Sequence, residues 1–354
     1  MFLGWNEIKF NKLRYGLIVG VMSLVAYLVF FLTGLSYGLA QDNRSAIDMW
    51  QAEGVLLAED ANGLLTLSRI DDATVQSLEN ESIAPIMQLS LVAFYGETQL
   101  TVNGLGVKPN SFVVPEVSAG TAEIKDNEVI VDESLNTVYG IQLGDTIEVT
   151  SAKYPLKVVG FVKEAKLSVQ PVVYMTADQH HQIRYGDQAT KVPHTHNLLV
   201  VKSPLKESVP EGLIYFDIST FVDGLPGYKA QVLTFGFMIG FLIAIAAIVV
   251  GIFMYVLTLQ KVSIFGVMKA QGISSGYISK SVVGQTFLLA TVAVGVGLGL
   301  VYLTVFFLPE KVPFQHLVAF EGAVGGLMIA CALIGAIFSL GTIRKIDPLQ
   351  ALNG

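Results

Sequence analysis

The stretch "KVSIFGVMKAQGIS", residues 261–274, lies between two long apolar runs and decides how the chain is arranged. Residues 230–260 before it carry no charged side chain, and neither do residues 281–309 after it. Because a helix needs roughly 20 apolar residues to cross a bilayer, each run predicts one membrane span. The quoted stretch therefore predicts a short return to water between two spans.

The composition supports this interpretation for the whole chain. Of its 354 residues 52% are hydrophobic and 14% are charged, and the mean hydropathy is +0.58. These values exclude an ordinary soluble enzyme. Two further segments without charged residues, 15–41 and 322–343, each predict another span. We therefore expect an α-helical membrane protein with four transmembrane helices.

The distribution of charge predicts the orientation. Basic residues cluster at both ends of the chain and in the loop after the second span: Lys9, Lys12, Arg14, Lys261, Lys269, Lys280, Arg344 and Lys345. Residues 42–229 hold 25 of the 29 acidic residues but 13 of the 22 basic ones. By the positive-inside rule both termini are cytoplasmic and residues 42–229 are extracellular.

The extracellular segment has the pattern of a folded domain. "EVIVDESLNTVYGIQLGDTIEV", residues 128–149, predicts a strand, a short helix, a Leu-Gly-Asp turn and a second strand. Further strands are predicted at 91–95, 157–162, 171–175 and 198–201, and helices at 71–79 and 176–184. This is a mixed α+β domain inserted between helices one and two. The sole cysteine, Cys331, lies in the fourth span, so no disulfide braces the domain.

The remaining boundaries complete the predicted organisation. Residues 1–14, "MFLGWNEIKFNKLR", interleave aromatic and basic side chains and predict a cytoplasmic amphipathic helix on the lipid surface. The other segments follow in chain order: transmembrane helices at 15–41, 230–260, 281–309 and 322–343, a cytoplasmic helix and loop at 261–280, a short external loop at 310–321 and a cytoplasmic tail at 344–354.

The cytoplasmic loop has two interpretations. As a helix it places Ile264, Phe265 and Met268 on one face. Such a face lies on lipid as an interfacial helix, or it docks into a groove of a cytoplasmic protein.

Three motifs carry a family resemblance. "LQKVSIFGVMKAQGISSGYISKSVVGQT" at 259–286, "RKIDPLQALNG" at 344–354 and "NEVIVDESLNTVYGIQLGDTIEV" at 127–149 resemble segments of FtsX/MacB-type ABC transporter permeases. The order of one span, a large external domain and three further spans is also similar to that family. The resemblance covers nearly the whole chain.

The resemblance implies a homodimer of this chain with two copies of a separate cytoplasmic ABC ATPase, which would bind the ATP. No G-x-x-x-x-G-K-[ST] phosphate-binding loop occurs here, in keeping with a chain that is not itself an enzyme. The family's coupling helix falls on Ile264, Phe265, Gly266, Met268 and Lys269, with Ser263 where many relatives have a charged residue. No intrinsic cofactor and no nucleic-acid partner are implied, and the mechanism implied is mechanotransmission.

Small residues in the first span predict a dimer seam. Their spacing, Gly-xxx-Gly in two places, permits close approach of two helices. The residues concerned are Gly16, Gly20, Gly34 and Gly38.

The first 40 residues and the compact external domain resemble the haem-exporting branch of the family. Haem, or a similar amphiphile, would then be the transported ligand, taken from the membrane through an apolar side opening between spans one and two. Candidate axial ligands are Tyr228, Met238, Tyr37 and Tyr174. Arg44 and Lys229 are candidate partners for the propionates. Tyrosines at a membrane interface are also ordinary belt residues.

Other functional classes stay open at this point. A mechanotransmitting regulator of a cell-wall hydrolase predicts a docking surface on the external domain, and a peptide or lipoprotein exporter predicts an external groove. The pairs His180-His181 and His194-Thr195-His196 suggest metal binding as a further possibility. Their spacing matches no metal motif, however, and their position in polar loops predicts solvated side chains. No catalytic constellation is recognisable, so we predict neither a catalytic nor a metal site.

Overall fold

The structure is a computed structural model that describes residues 12–205 and 209–345. Most of the predicted N-terminal amphipathic helix, residues 1–11, and the tail after residue 345 lie outside the described residues. The chain divides into two compact units, named here the sheet unit, Gly38–Val232, and the helical unit, Met1–Tyr37 with Leu233–Gly354.

The described residues contain helices of two kinds, long apolar ones and short ones associated with the strands. Four are long and apolar enough to cross a membrane, as predicted. In chain order the α-helices are α1 (Lys12–Met49), α2 (Asp72–Leu78), α3 (Ser134–Tyr139), α4 (Ala177–Tyr185), α5 (Ile218–Asp223), α6 (Tyr228–Leu259), α7 (Val262–Ala270), α8 (Ser275–Phe306) and α9 (Val318–Lys345).

Helix α1 continues past the charge-free window that predicted it. It ends at Met49 and so includes the charged residues Asp42, Arg44 and Asp48, which follow that window. Arg44 and Asp48 lie four residues apart and form an ion pair of 2.5 Å on the helix surface, a spacing that supports helix formation.

The strands all lie between α1 and α6 in chain order. They include those predicted at 91–95, 157–162, 171–175 and 198–201, mostly lengthened. The full set is β1 (Gly54–Ala58), β2 (Ile70–Asp71), β3 (Ile83–Tyr95), β4 (Thr98–Val107), β5 (Ala119–Gly120), β6 (Glu128–Asp132), β7 (Thr146–Val149), β8 (Leu156–Val162), β9 (Lys166–Leu167), β10 (Gln170–Thr176), β11 (Thr195–His196), β12 (Leu198–Val201) and β13 (Leu213–Asp217).

Eleven of these strands form one mixed sheet. Its order is β13-β1-β12-β3-β4-β10-β6-β8-β5, with β7 paired to β3 and β8 and β9 paired to β10. Most pairs are antiparallel, but β10 pairs with β4 and β6 pairs with β8 in parallel. The strands β2 and β11 form a separate two-stranded ladder.

The centre of this sheet is covered on both faces. Side chains alternate across a strand, so β10 sends Val172 and Tyr174 to one face and Val173 and Met175 to the other. The first face packs against the end of α1 and against Trp50, the residue that follows this helix, which is only 2% exposed. Burial on both faces explains why β10 reads as a continuous apolar run rather than an alternating one.

In the helical unit, small residues let the long helices approach closely. A Cβ added to Gly297 on α8 would lie 2.7 Å from the Cβ of Ala26 on α1. Phe30 packs in the same cluster and is 2% exposed. Membrane helices gain little from apolar burial against lipid, so close packing of this kind is a main source of their association.

Candidate functional site

The short helix α7 corresponds to the predicted cytoplasmic helix after the second span. Gly272 forms the turn that ends this helix. Its φ is +87°, a backbone conformation that residues other than glycine rarely adopt. Ser274 then caps α8 by accepting a hydrogen bond from the backbone N–H of Tyr277 at 3.3 Å. The sequence Gly-Ile-Ser thus separates α7 from the next span.

The predicted coupling residues do not share one environment. Phe265 is 5% exposed and packs, with the half-buried Met268, in a core cluster of the helical unit. Gly266 is buried and Lys269 is half-buried. Ile264 is 55% exposed, and Val267, which sequence reasoning did not select, is 40% exposed. The outward apolar face of α7 therefore contains Ile264 and Val267, a pair at i, i+3 spacing.

Lys261, which precedes α7, anchors this segment to the first span. Its side chain is 8% exposed, and its Nζ donates a hydrogen bond of 2.9 Å to the Tyr15 hydroxyl. The ammonium also lies 5.7 Å from the centre of the Tyr15 ring, within the range of a cation–π contact. No sequence pattern predicts this pairing, because Tyr15 lies in a span distant along the chain.

The candidate haem ligands are distributed over both units. Tyr228, Tyr174, Arg44 and Lys229 belong to the sheet unit, and Tyr37 and Met238 to the helical unit. Tyr37 is half-buried, and Met238 is 43% exposed. Lys229 is exposed, and Tyr228 is half-buried against the core of the sheet unit. Arg44 interacts with Tyr228, but its guanidinium is also bound to Asp48.

Tyr174 lies in the interior of the sheet unit. The side chain is 0% exposed, and its hydroxyl has no hydrogen-bond partner within the described residues. Burial raises the pKa of this phenol well above its usual value. A neutral phenol sealed in a core is poorly placed to reach the iron of a porphyrin in the membrane.

Tyr174→Phe is expected to leave the sheet unit as stable as before or to stabilise it by up to about 1 kcal/mol, because a buried hydroxyl without a partner costs desolvation energy. Haemin affinity should not change. Urea unfolding followed by the fluorescence of the buried Trp50 measures the first quantity, and a haemin titration measures the second. Loss of more than about 1 kcal/mol would show that the hydroxyl has a stabilising partner.

The glycines of the predicted dimer seam differ in what covers them. A Cβ added to Gly34 would lie 2.3 Å from the ring of Phe314 in the same chain, so this glycine serves packing within the helical unit. Gly38 is buried. Within the described residues, Gly16 and Gly20 have nothing within 4 Å of an added Cβ, and both are exposed. No described residue covers this half of the motif.

The expectation that the histidine pairs are solvated was wrong for three of the four. His180 and His181 lie on α4 and are 1% and 4% exposed, and His196 is 6% exposed. Helix α4 packs on the sheet, which buries His180 together with Ile183 one turn later. Burial lowers the pKa of His180 to about 3, so the ring is neutral at physiological pH.

The histidine cluster is held by packing and local hydrogen bonds. His181 donates from Nε2 to the carbonyl oxygens of Ala189 at 3.0 Å and Val192 at 3.1 Å, and its ring stacks on His194 at 4.0 Å. No group of three or more histidine, cysteine, aspartate or glutamate side chains arranged for a metal ion occurs in the described part of the chain. The burial and contacts of these histidines are those of side chains that stabilise the fold around α4.

An apolar groove is present in the helical unit. Its volume is about 390 Å³, and it lies between α6 and α9, the second and fourth predicted spans. The lining residues include Ile248, Ile252, Tyr255 and Ile334. Sequence reasoning placed the side opening for haem between spans one and two; that placement stays a prediction.

Comparison with known protein families identifies the class. Residues 15–211 match the family model of the MacB-like periplasmic core domain, and residues 236–348 match that of the FtsX-like permease C-terminal region. The first match covers more than half of the chain. This chain belongs to the FtsX/MacB-type ABC transporter permeases, as the sequence motifs indicated.

Individual relatives are similar over their full length. A protein from Staphylococcus haemolyticus (strain JCSC1435) named "Putative hemin transport system permease protein HrtB" is 25% identical, over 100% of this chain and 99% of the relative. A protein of the same name from Staphylococcus epidermidis (strain ATCC 12228) is 27% identical over the same shares. An uncharacterized ABC transporter permease from Mycobacterium tuberculosis (strain H37Rv) is 25% identical, again over 100% and 99%.

Proposed function

We propose that this chain is the permease subunit of an ATP-driven exporter that extrudes haem, or a similar membrane-partitioned amphiphile. The observation that supports it is the similarity to two permeases named for hemin transport, which extends over the whole of this chain and 99% of each relative. A match of this extent includes the external domain, the spans and the loop that carries α7.

The proposed assembly contains two copies of this chain and two copies of a cytoplasmic ATPase. Both termini and α7 face the cytoplasm, and the sheet unit lies outside a bacterial plasma membrane. The excess of basic residues beside the ends of the spans supports this orientation. The open Gly16 and Gly20 are the residues of α1 best suited to contact the second copy.

In the proposed mechanism, ATP binding draws the two ATPases together and moves the α7 helices with them. Phe265 and Lys261 join α7 to the span cores, Phe265 by packing and Lys261 through the Tyr15 hydroxyl. A displacement of α7 would therefore be transmitted to α1, whose other end belongs to the sheet unit. Movement of the external domain then expels the cargo from the outer leaflet, without a channel through the dimer.

A haemin titration of the purified full-length chain in detergent tests the cargo. We expect a saturable shift of the Soret band and roughly tenfold weaker binding in Tyr228→Phe and Met238→Ala, about 1.4 kcal/mol each. Tyr154→Phe is the matched control, because this tyrosine is 56% exposed and lies in the sheet unit away from the candidate ligands in sequence.

Non-saturable partitioning of haemin, equal in all variants, would overturn haem as the cargo. The family membership would be unaffected. The favoured function would then be a peptide or lipoprotein exporter, or a regulator of a cell-wall hydrolase. Saturable binding that neither substitution weakens would retain haem export but reject these two ligands.

A further inference from the structure

The fifth histidine, His316, lies in the connection between α8 and α9 and has a defined set of contacts. Its Nδ1 lies 2.8 Å from Oε1 of Glu321, in the first turn of α9. The other carboxylate oxygen of Glu321 accepts a hydrogen bond of 3.2 Å from the Tyr302 hydroxyl. Glu321 is 8% exposed, so this carboxylate is buried at a helix end and is held by two side chains.

These contacts fix the orientation of the His316 ring. Tyr302 stacks on it at a centroid distance of 4.2 Å, and Phe314 meets it edge to face at 4.9 Å. A carboxylate accepts hydrogen bonds, so the neutral imidazole carries its proton on Nδ1 and its lone pair on Nε2. The Nε2 atom makes no hydrogen bond to the part of the chain that the structure describes, and 27% of the side chain is exposed.

An imidazole held in this way has the chemistry of a metal ligand. Histidine ligands typically donate their second ring N–H to a carboxylate, which fixes the tautomer and makes the coordinating nitrogen more basic. A bare metal ion needs several protein ligands, and no group of three or more suitable side chains occurs among the described residues. In haem the porphyrin already supplies four nitrogen ligands to the iron, so the protein needs to supply only axial ligands. The donor set therefore fits a metalloporphyrin better than a free ion.

The surroundings of His316 also suit a large apolar ligand. Phe306 lies one helical turn after Tyr302 on α8, hence on the same face, and is 82% exposed. Phe307 and Val318, which border the connection on either side, are 75% and 72% exposed. Exposed aromatic and aliphatic side chains therefore lie at the ends of both helices that the connection joins.

We propose that His316 is an axial ligand of the iron of transported haem, with Glu321 as the positioning residue that orients it. This proposal rests on haem being the cargo. It assigns the iron a nitrogen ligand in the connection between the third and fourth spans, separate from the tyrosine and methionine candidates of the first two spans.

The test compares the full-length wild-type chain with three variants by haemin titration and by resonance Raman spectroscopy of the reduced complex. His316→Phe keeps an aromatic ring between Tyr302 and Phe314, but it can neither coordinate iron nor contact Glu321. We expect at least about tenfold weaker haemin binding and loss of the iron–histidine stretching band.

The other two variants separate coordination from packing. Glu321→Gln keeps His316 but removes the carboxylate, so the iron–histidine band should persist and shift as the imidazole becomes less basic. Tyr302→Phe keeps the stacked ring but removes one of the two contacts that hold Glu321, so the iron–histidine band should persist with a smaller shift than in Glu321→Gln.

A wild-type chain that binds haemin saturably, with an affinity and a resonance Raman spectrum that His316→Phe leaves unchanged, would overturn the proposal and leave haem export standing. A wild-type chain without saturable binding would overturn haem as cargo and this ligand with it. A band that is lost in His316→Phe and shifted in Glu321→Gln would establish both.

Discussion

Replacing Ile264 with aspartate is expected to weaken the association of the permease with its ATPase at least about 30-fold, roughly 2 kcal/mol. Ile264 is 55% exposed on α7, and its side chain points away from the cluster that holds Phe265. If this face docks into a groove of the ATPase, the substitution removes an apolar anchor. It also places an unpaired carboxylate in the contact, and both changes are unfavourable.

Co-purification and titration of the two proteins in detergent measure this effect. Ser274→Asp is the matched control, because it introduces the same charge in the same loop at an exposed position outside α7, where aspartate caps α8 as well as serine does. We expect less than about threefold loss of affinity for the control. Equal affinity in wild type and Ile264→Asp would show that this face lies on lipid, the other interpretation of the sequence.

The division of α7 into inward and outward residues illustrates the limit of the sequence argument. The helix and its bounds follow from Gly272 and Ser274, which are local signals. Phe265 and Ile264 are adjacent apolar residues, and their periodicity alone does not say which of them faces the bundle. That depends on Tyr15 and Ile278, which lie on other helices and share the Phe265 cluster.

The spans and the sheet were predictable for a different reason. A long run without charged residues is what a bilayer requires of a spanning helix. The four apolar helices could therefore be predicted from the lengths of such runs. Strands such as β10 and β12 carry unbroken apolar residues between turn signals, and both were found. The strands β1 and β4 were missed: β1 is as apolar as the strands found, whereas β4 contains Gly104 and Gly106 and has a weak strand pattern.

The polar candidates were the least predictable. The ion pair of Arg44 was already visible in the sequence, because Asp48 lies four residues later on the same helix. The contacts of His316 were not predictable, because Glu321 and Tyr302 come together around it only when α8 and α9 pack. The burial of His180 likewise depends on the sheet beneath α4.

The domain motif "NEVIVDESLNTVYGIQLGDTIEV" contains the carboxylate whose loss is expected to destabilise the sheet unit most. Asp132, at the end of β6, is 1% exposed and accepts hydrogen bonds from the backbone N–H of Ser134 at 3.0 Å and of Ala165 at 2.6 Å, and from the Ser134 hydroxyl. It thereby joins the start of α3 to the chain that leads into β9. Asp132→Ala leaves the buried Ala165 N–H without this acceptor.

We expect Asp132→Ala to lower the free energy of unfolding of the sheet unit by about 3 kcal/mol, since hydrogen bonds to a charged group are the stronger kind and an orphaned buried donor bears its full desolvation penalty. Urea unfolding followed by Trp50 fluorescence in a Trp5→Phe background, where Trp50 is the last of the two tryptophans, measures it in the full-length chain. Ser134→Ala, which removes only the hydroxyl, should cost about 1 kcal/mol or less.

Asp132→Asn distinguishes the charge from the shape. Its amide oxygen can accept from one of the two backbone donors, but its NH₂ group then faces the other, so we expect a loss between those of Ser134→Ala and Asp132→Ala. If asparagine restored full stability, one backbone contact would be enough. If alanine cost less than about 1 kcal/mol, the Ala165 N–H would have found another acceptor. The hydrogen bonds of Asp132 would then contribute no more to stability than those of an ordinary exposed pair.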